Sequence, residues 1–258
     1  MKKITLLILF LTIISCKKNK IIERIDPENN NRETYNYIIT NGDTILHGES
    51  YTYNENGEII LKCNYNDGKL DGKLFRYFDD GKLKEVQNLK NGIYEGVAIS
   101  YFEEGHINTL LTYRKDTLYG DAYYNYRNGK LRKYVLYDSI GRIPFIVRLD
   151  SKGKIKSHEG KPVNCFLDTE EIKFGEKFKM DCMLANIPNT HREVEFVYSD
   201  SDKGKRVVKK NGVNYLTVEE EKYKKGKNLL YVIATYKFND KYYNQILKDT
   251  AFIDYYVR

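Results

Sequence analysis

The residues able to do chemistry in this chain are dispersed, and those that recur do so at a fixed interval. Four histidines, His47, His106, His158 and His191, stand apart from one another in no paired-ligand or H-E-x-x-H spacing. No G-x-S-x-G, phosphate-cradling or dinucleotide-binding glycine pattern occurs. Adjacent carboxylates, which could serve acid/base hydrolysis, occur at Asp79-Asp80 and Glu103-Glu104. Both pairs sit beside a turn glycine at equivalent repeat positions, so solvated turn residues explain them better. Asp200-Ser201-Asp202-Lys203-Gly204 opens like a calcium loop but puts Asn211 where a bidentate glutamate is required. His106, beside a turn, reads as a surface residue. No set of residues supports catalysis, a metal or a cofactor, and the expected activity is recognition rather than turnover.

Two features could carry recognition. The first is a ladder of aromatics: Tyr51, Tyr53, Tyr77, Phe78, Tyr101, Phe102, Tyr113, Tyr123, Tyr124, Tyr126 and Tyr137. Ring faces in a row can stack on sugars or grip a polypeptide at low entropic cost. The same rings can equally pack across strands, being the sizeable apolar groups of a thin structure. Where two are adjacent, as at Tyr77-Phe78, one ring points each way along a strand and the outward ring is the candidate. The candidate contact residues are therefore Tyr53, Tyr77, Phe78, Tyr101, Phe102 and Tyr126. The second feature is basic: Lys203–Lys210 (KGKRVVKK), with Tyr223-Lys224-Lys225-Gly226-Lys227. It could meet anionic lipid heads, although such runs at hairpin turns usually form a solvated edge that discourages strand addition.

The elements that position the aromatics are set by glycine. One series runs Gly57, Gly81, Gly105, Gly129, Gly153, and a second runs Gly48, Gly72, Gly96, Gly120, each at 24-residue intervals. A fixed period marks a repeat array in which each unit covers the apolar face of the next. Four units align without gaps: GESYTYNENGEIILKCNYNDGKLD, GKLFRYFDDGKLKEVQNLKNGIYE, GVAISYFEEGHINTLLTYRKDTLY and GDAYYNYRNGKLRKYVLYDSIGRI. A degenerate fifth begins at Pro144, and Tyr35–Leu46 forms a capping half-unit around Asn41-Gly42. In each unit an aromatic-rich strand precedes a central turn such as Glu55-Asn56-Gly57 or Asp79-Asp80-Gly81. An apolar residue follows two positions on, at Ile59, Leu83, Ile107, Leu131 and Ile155. Asn-Gly and Asp-Gly between apolar strands signal hairpins, because they accept the positive φ the turn needs.

The pattern G-x-x-x-x-Y-x-x-x-G-x-[IL] over roughly residues 48 to 155 resembles the MORN-type repeat, and more closely its antitoxin-like bacterial variant. The fourth unit departs from it, with Asn125 in place of the aromatic. The resemblance implies a β-hairpin array with binding or scaffolding roles and no catalytic residues.

The N-terminus gives the expected address. Lys2 and Lys3 precede the apolar stretch Ile4–Ile14, too short to span a bilayer and of export-signal type. Ile13-Ile14-Ser15-Cys16 resembles the bacterial lipobox, which implies cleavage before Cys16 and a diacylglycerol plus an N-acyl chain on that residue. Acyl chains contribute about 0.8 kcal/mol per buried methylene, enough together for stable anchoring. Lys17 follows the cysteine; in the lipoprotein sorting rule an aspartate there implies inner-membrane retention, so the outer membrane is the expected site. The formal charge of +7 falls to about +5 without Lys2 and Lys3, a mild excess that does not call for nucleic acid.

Domain by domain, the expectation is a signal peptide over 1–15, a flexible tether over 16–34, the array over 35–160 and a second β domain over 161–258. Tyrosine is abundant (24), tryptophan absent and proline scarce (4), which suits strands joined by Gly, Asn and Asp turns. Beyond Pro162 the period stops, and seven or so short strands suggest an Ig-like sandwich. They begin with Val163–Leu167, Lys177–Leu184 and Glu193–Tyr198 and end with Asn228–Phe238 and Tyr242–Tyr256. Three thiols remain besides Cys16: Cys63, Cys165 and Cys182. Either Cys165 and Cys182, on neighbouring predicted strands, form a bridge, or all three stay reduced. The fold class expected is all-β, an extended antiparallel hairpin array followed by a small Ig-like sandwich. The function expected is a membrane-anchored binding or scaffold lipoprotein of the cell envelope, with a protein or glycan partner. An immunity protein neutralising an exported toxin is the alternative, and an envelope hydrolase finds no support.

Overall fold

The computed structural model describes residues 20–198, 206–209, 215–220, 224–239 and 245–258, and every regular element among them is a β-strand. The signal-like segment and Cys16 lie outside the described residues, as do the calcium-like loop and much of the Lys203–Lys210 run.

From Lys20 to Gly160 fifteen strands form one antiparallel sheet in which neighbours in sequence are neighbours in space. The units opened by Gly72 and Gly96 each supply a strand opened by the periodic glycine, a longer return strand, and a two-residue strand that pairs back onto it. The first unit's opening strand starts earlier, at Asp43, and the fourth unit has no two-residue strand among the described residues. Gly72–Tyr77, Leu83–Lys90 and Ile93–Tyr94 are one such set; Gly96–Tyr101, Ile107–Arg114 and Thr117–Leu118 are the next. The central turn is closed by Phe78 N donating to Lys82 O (2.8 Å) and Gly81 N to Phe78 O (2.9 Å). The same pair of bonds recurs from Asn54, Phe102, Tyr126 and Asp150. A β-bulge beside each of these turns adds local twist.

A second, tighter turn in each of the first three units is less visible in sequence. Asp67-Gly68 (φ 46° and 79°) and Asn91-Gly92 (φ 52° and 83°) have both central residues left-handed, the geometry whose twist suits a two-residue hairpin. In the third unit Lys115-Asp116 adopts it without glycine (φ 48° and 63°). Carboxylates lock these turns to their neighbours. Asp71 Oδ2 accepts Asn91 N at 3.0 Å, and one unit on Glu95 Oε2 accepts Lys115 N at 2.9 Å. The array's own core is small: Cys63, Leu74 and Leu89 are buried, with Leu61, Tyr65, Leu70 and Tyr94 against them.

The tether expected through residue 34 is replaced from Lys20 on by a hairpin. Lys20–Ile25 pairs with Arg32–Thr40 in continuous register from Lys20↔Tyr37 to Ile25↔Arg32. KIIERI is rich in β-branched residues, and the asparagines that suggest disorder instead build a turn. Asp26 N donates to Asn31 O (2.8 Å), Asp26 Oδ1 accepts Glu28 N (3.0 Å), and Asn30 is left-handed at φ 56°.

Beyond Gly160 two sheets share one core. Val163–Leu167, Phe178–Leu184 and Tyr215–Glu220 form the smaller. Glu171–Ile172, Ile246–Val257, Gly226–Phe238, Thr190–Tyr198 and Arg206–Lys209 form the larger, in that order. The chain crosses between sheets after its first strand, and the short Glu171–Ile172 strand pairs parallel with the last one. That connectivity is immunoglobulin-like. Cys165 and Cys182 face each other across one strand pair and are disulfide-bonded, so the bridge lies within a sheet rather than between sheets. Cys63 is a buried free thiol in the array, and burial pushes its pKa up to about 11.

The period ends at the array–sandwich boundary but the core does not. Tyr134, Leu136, Phe145, Val147 and Leu149 of the last hairpins belong to the same buried cluster as Val194, Phe196, Val232 and Tyr236. Polar groups in this joint are paired. Tyr134 Oη donates to Asp121 Oδ1 (2.6 Å) and accepts Asn186 N (2.8 Å), while Tyr123 Oη donates to Asn186 O (3.2 Å). Gln245 Oε1 accepts Ile155 N (2.8 Å) and its Nε2 donates to Gly153 O (3.2 Å). At Gly160 (φ 75°) a Cβ would lie 2.0 Å from Pro144 O, so backbone meets backbone where only glycine fits.

Candidate binding surface along the repeat array

The residue that opens each central turn differs between the ends and the middle of the array. At the ends it is Asn54 or Asp150, and its side chain caps its own turn. Asn54 Oδ1 accepts Asn56 N (3.1 Å) and Glu58 N (2.9 Å), and Asp150 Oδ1 accepts Lys152 N and Lys154 N (both 2.9 Å). Asp138 does the same in the irregular hairpin before Pro144, accepting Ile140 N (3.0 Å) and Arg142 N (2.9 Å). Such Asx contacts are what makes Asn and Asp favoured turn residues. In the three middle units the same position holds Phe78, Phe102 and Tyr126, which cannot make them. A later residue restores one bond, Asp80 Oδ1 to Lys82 N and Asn128 Oδ1 to Lys130 N, both 3.1 Å. The middle units thus lack a two-bond cap worth about 0.5–1.5 kcal/mol per bond and carry a row of rings instead.

Successive rings are two strands apart, about 10 Å at the usual strand spacing. Phe78, Tyr101 and Phe102 line a shallow groove of about 380 Å³ with Lys84, Glu85 and Arg127. Lys84 Nζ lies 5.5 Å from the Phe78 ring centroid, and the Arg127 guanidinium lies 5.3 Å from that of Phe102. Arg127 also pairs with Glu104 at 2.7 Å. Rings and cations therefore alternate, an arrangement that can grip a partner through flat contact and charge together.

Of the six aromatics singled out by sequence, three meet in this groove. Tyr53 lies a unit away, with Arg32 at 3.9 Å and the Tyr51 ring at 6.2 Å. Tyr126 is turned to the next hairpin, donating to Leu149 O at 2.9 Å. Tyr77 is half-buried opposite Leu83 and does not line the groove. Elsewhere in the ladder Tyr123 and Tyr134 are structural, their phenol pKa values raised chiefly by burial. Tyr124 lies under Lys133 (3.8 Å) with its phenol pushed up to about 12, first by burial and then by its hydrogen bond to Tyr137. His106 is exposed beside Gly129. Lys84, on a strand, and Arg127, in a turn, gave no signal in sequence because exposed cations at such positions usually mark a solvated face. The one available signal was Arg127 standing about one repeat past Phe102.

Among the described residues no three His, Cys, Asp or Glu side chains gather as metal ligands. No helix among them is long and apolar enough to cross a membrane. No curated protein matches the chain. The unit opened by Gly96 repeats the strand pattern of the one before it, and the unit opened by Gly120 keeps its two main strands. Residues 46–67 and 70–91 match the family described as the MORN repeat variant, so the first two full units are MORN-type repeats, modules that generally bind proteins or membranes.

Proposed function

We propose that this chain is a lipid-anchored binding module of the bacterial cell envelope, tethered through Cys16 and contacting its partner along the aromatic row of the array. One observation carries the reading: in the middle units the turn-capping Asn or Asp is exchanged for Phe78, Phe102 and Tyr126. An exchange that gives up local hydrogen bonds and leaves half-exposed rings beside Lys84 and Arg127 favours contact over stability. The lipobox-like Ile13-Ile14-Ser15-Cys16 supports the anchor, and Lys17 supports an outer-membrane site. The partner is a protein whose surface accepts rings and offers carboxylates to the flanking cations.

The reading is tested by crosslinking the tagged chain in native membranes and identifying captured proteins by mass spectrometry. Capture of envelope proteins that disappears in Phe78→Ala/Phe102→Ala, with Cys16→Ser moving the protein to the soluble fraction, is the expected result. Capture of a single small exported toxin would replace the scaffold reading by immunity. Unchanged capture in the double variant would remove the aromatic row from the account.

A further inference from the structure

A cleft of about 670 Å³ lies away from the aromatic row, between the outer face of the three-stranded sheet and the Asp138–Pro144 segment of the array. Its floor follows from strand register. Asn164 stands opposite Met183, and Met183 opposite Tyr215, so the three share one face of the sheet, with Phe166 two residues along and Met183 itself buried. Their neighbours Val163, Cys182, Leu184 and Leu216 fill the sandwich interior. Tyr119 of the array lies nearly parallel to Tyr215 (14°, centroids 6.4 Å apart), with the Arg114 guanidinium 3.8 Å from its ring. This stack joins array to sandwich at the cleft. Burial and its bond to Tyr119 raise the Tyr215 phenol, so its hydroxyl stays neutral.

The remaining wall mixes open apolar surface with planar polar groups. Phe166 is 62% exposed and Ile143 52%, and Phe166 has no ring or cation over it among the described residues. Phe78 and Phe102 of the array row, by contrast, are each flanked by a cation, Lys84 at 5.5 Å and Arg127 at 5.3 Å. Arg142 is held at Nε by Asp138 Oδ2 (2.7 Å) while its side chain is 76% exposed, which leaves its other N–H donors for a ligand. Asn164, anchored by Nδ2 to Lys161 O (2.9 Å), adds an amide beside Phe166.

We propose that this cleft binds an oligosaccharide. A sugar ring has an apolar C–H face and a rim of hydroxyls, and it needs a flat open ring beside planar donors and acceptors. Phe166 with Tyr215, and Arg142 with Asn164 and Asp138, supply these together. An acyl chain would desolvate Arg142, Asp138 and Asn164 without replacing their hydrogen bonds. An extended peptide gains most from the backbone of a strand edge, whereas the floor here is a side-chain face of the small sheet.

The site is independent of the array contact, and the test separates the two. The full chain in a detergent without sugar headgroups is titrated calorimetrically with cellohexaose, xylohexaose, mannohexaose and chitohexaose. At least one is expected to bind at one site per chain. Phe166→Ala should weaken it about tenfold or more, equivalent to about 1.4 kcal/mol. Arg142→Ala should also weaken it, while Phe78→Ala leaves it unchanged. Phe166 is exposed, so its replacement does not disturb the core. Absence of saturable binding to all four probes overturns the proposal. So does affinity indifferent to Phe166→Ala and Arg142→Ala, or binding of an extended peptide library there instead.

Discussion

The middle of the array and its junction with the sandwich are built from the same hairpin yet behave as different materials. In the first two units one sheet covers itself with Leu74, Leu89 and Cys63 and a few half-buried neighbours. At the junction the same strand pattern lays Tyr134, Phe145 and Val147 on a sandwich that buries all three completely. Apolar burial is the main stabilising term, so stability concentrates at the junction. The middle is left with local turns and inter-unit ties, and there the rings of Phe78 and Phe102 are free to meet a partner. Repeat arrays allow this division because each unit touches little beyond its neighbours.

The largest expected effect is at the core. Phe145→Ala should lower unfolding stability by about 3–5 kcal/mol, whereas Leu74→Ala in the thin array should cost nearer 2 kcal/mol because its site collapses more easily. Urea unfolding of both variants checks this, and equal losses would erase the contrast. Glycines make a second comparison. Gly160→Ala meets Pro144 O at 2.0 Å and should cost about 2–3 kcal/mol, but Gly81→Ala (φ 77°), with nothing within 4 Å, only about 1–2 kcal/mol.

Tyr134→Phe should cost about 1–3 kcal/mol at neutral pH, since it strips a partner from Asp121 and from Asn186 N. Titration sharpens the point. The folded phenols of Tyr123 and Tyr134 lie above their ordinary value of 10.0, so the unfolded chain loses these protons first. Their contribution is complete below pH 10 and is lost as pH rises through the folded values. Stability should therefore fall with pH above about 10, less steeply in Tyr134→Phe. An identical slope in the two proteins would remove Tyr134 from that role. The smallest effect is at the glycine-free tight turn. Lys115→Asn should raise stability by about 0.5 kcal/mol, because Asn tolerates the left-handed conformation held there at φ 48°.

How much was legible in sequence follows the same divide. Central turns, strand order and the opening glycines were readable because local chemistry at Asn56-Gly57 or Asp80-Gly81 sets them. The Ig-like strands showed as short apolar runs, and Val163–Leu167 has the same bounds in both. The shared core was not readable. Leu136 and Phe145 have the periodicity of any array strand, and only the sandwich placed against them makes them buried. The Lys20–Ile25 hairpin was masked by a run of asparagines that suits a turn as well as a tether. At the candidate surface the rings were visible, but their exchange with Asn54 and Asp150 became meaningful only once the capping bonds were seen. The cleft at Phe166 depends on register across two domains and left no local pattern.

The central claim, that the middle rings serve contact rather than stability, is tested most directly by Phe78→Asn/Phe102→Asn, which installs the end-unit capping residue in two of the three middle turns. Chemical unfolding and partner capture are measured on the same preparation. The account predicts stability within about 1 kcal/mol of the parent, as regained capping bonds offset lost ring packing, together with loss of capture. Stability falling by a core-like 3 kcal/mol or more while capture persists would contradict it and make the rings structural.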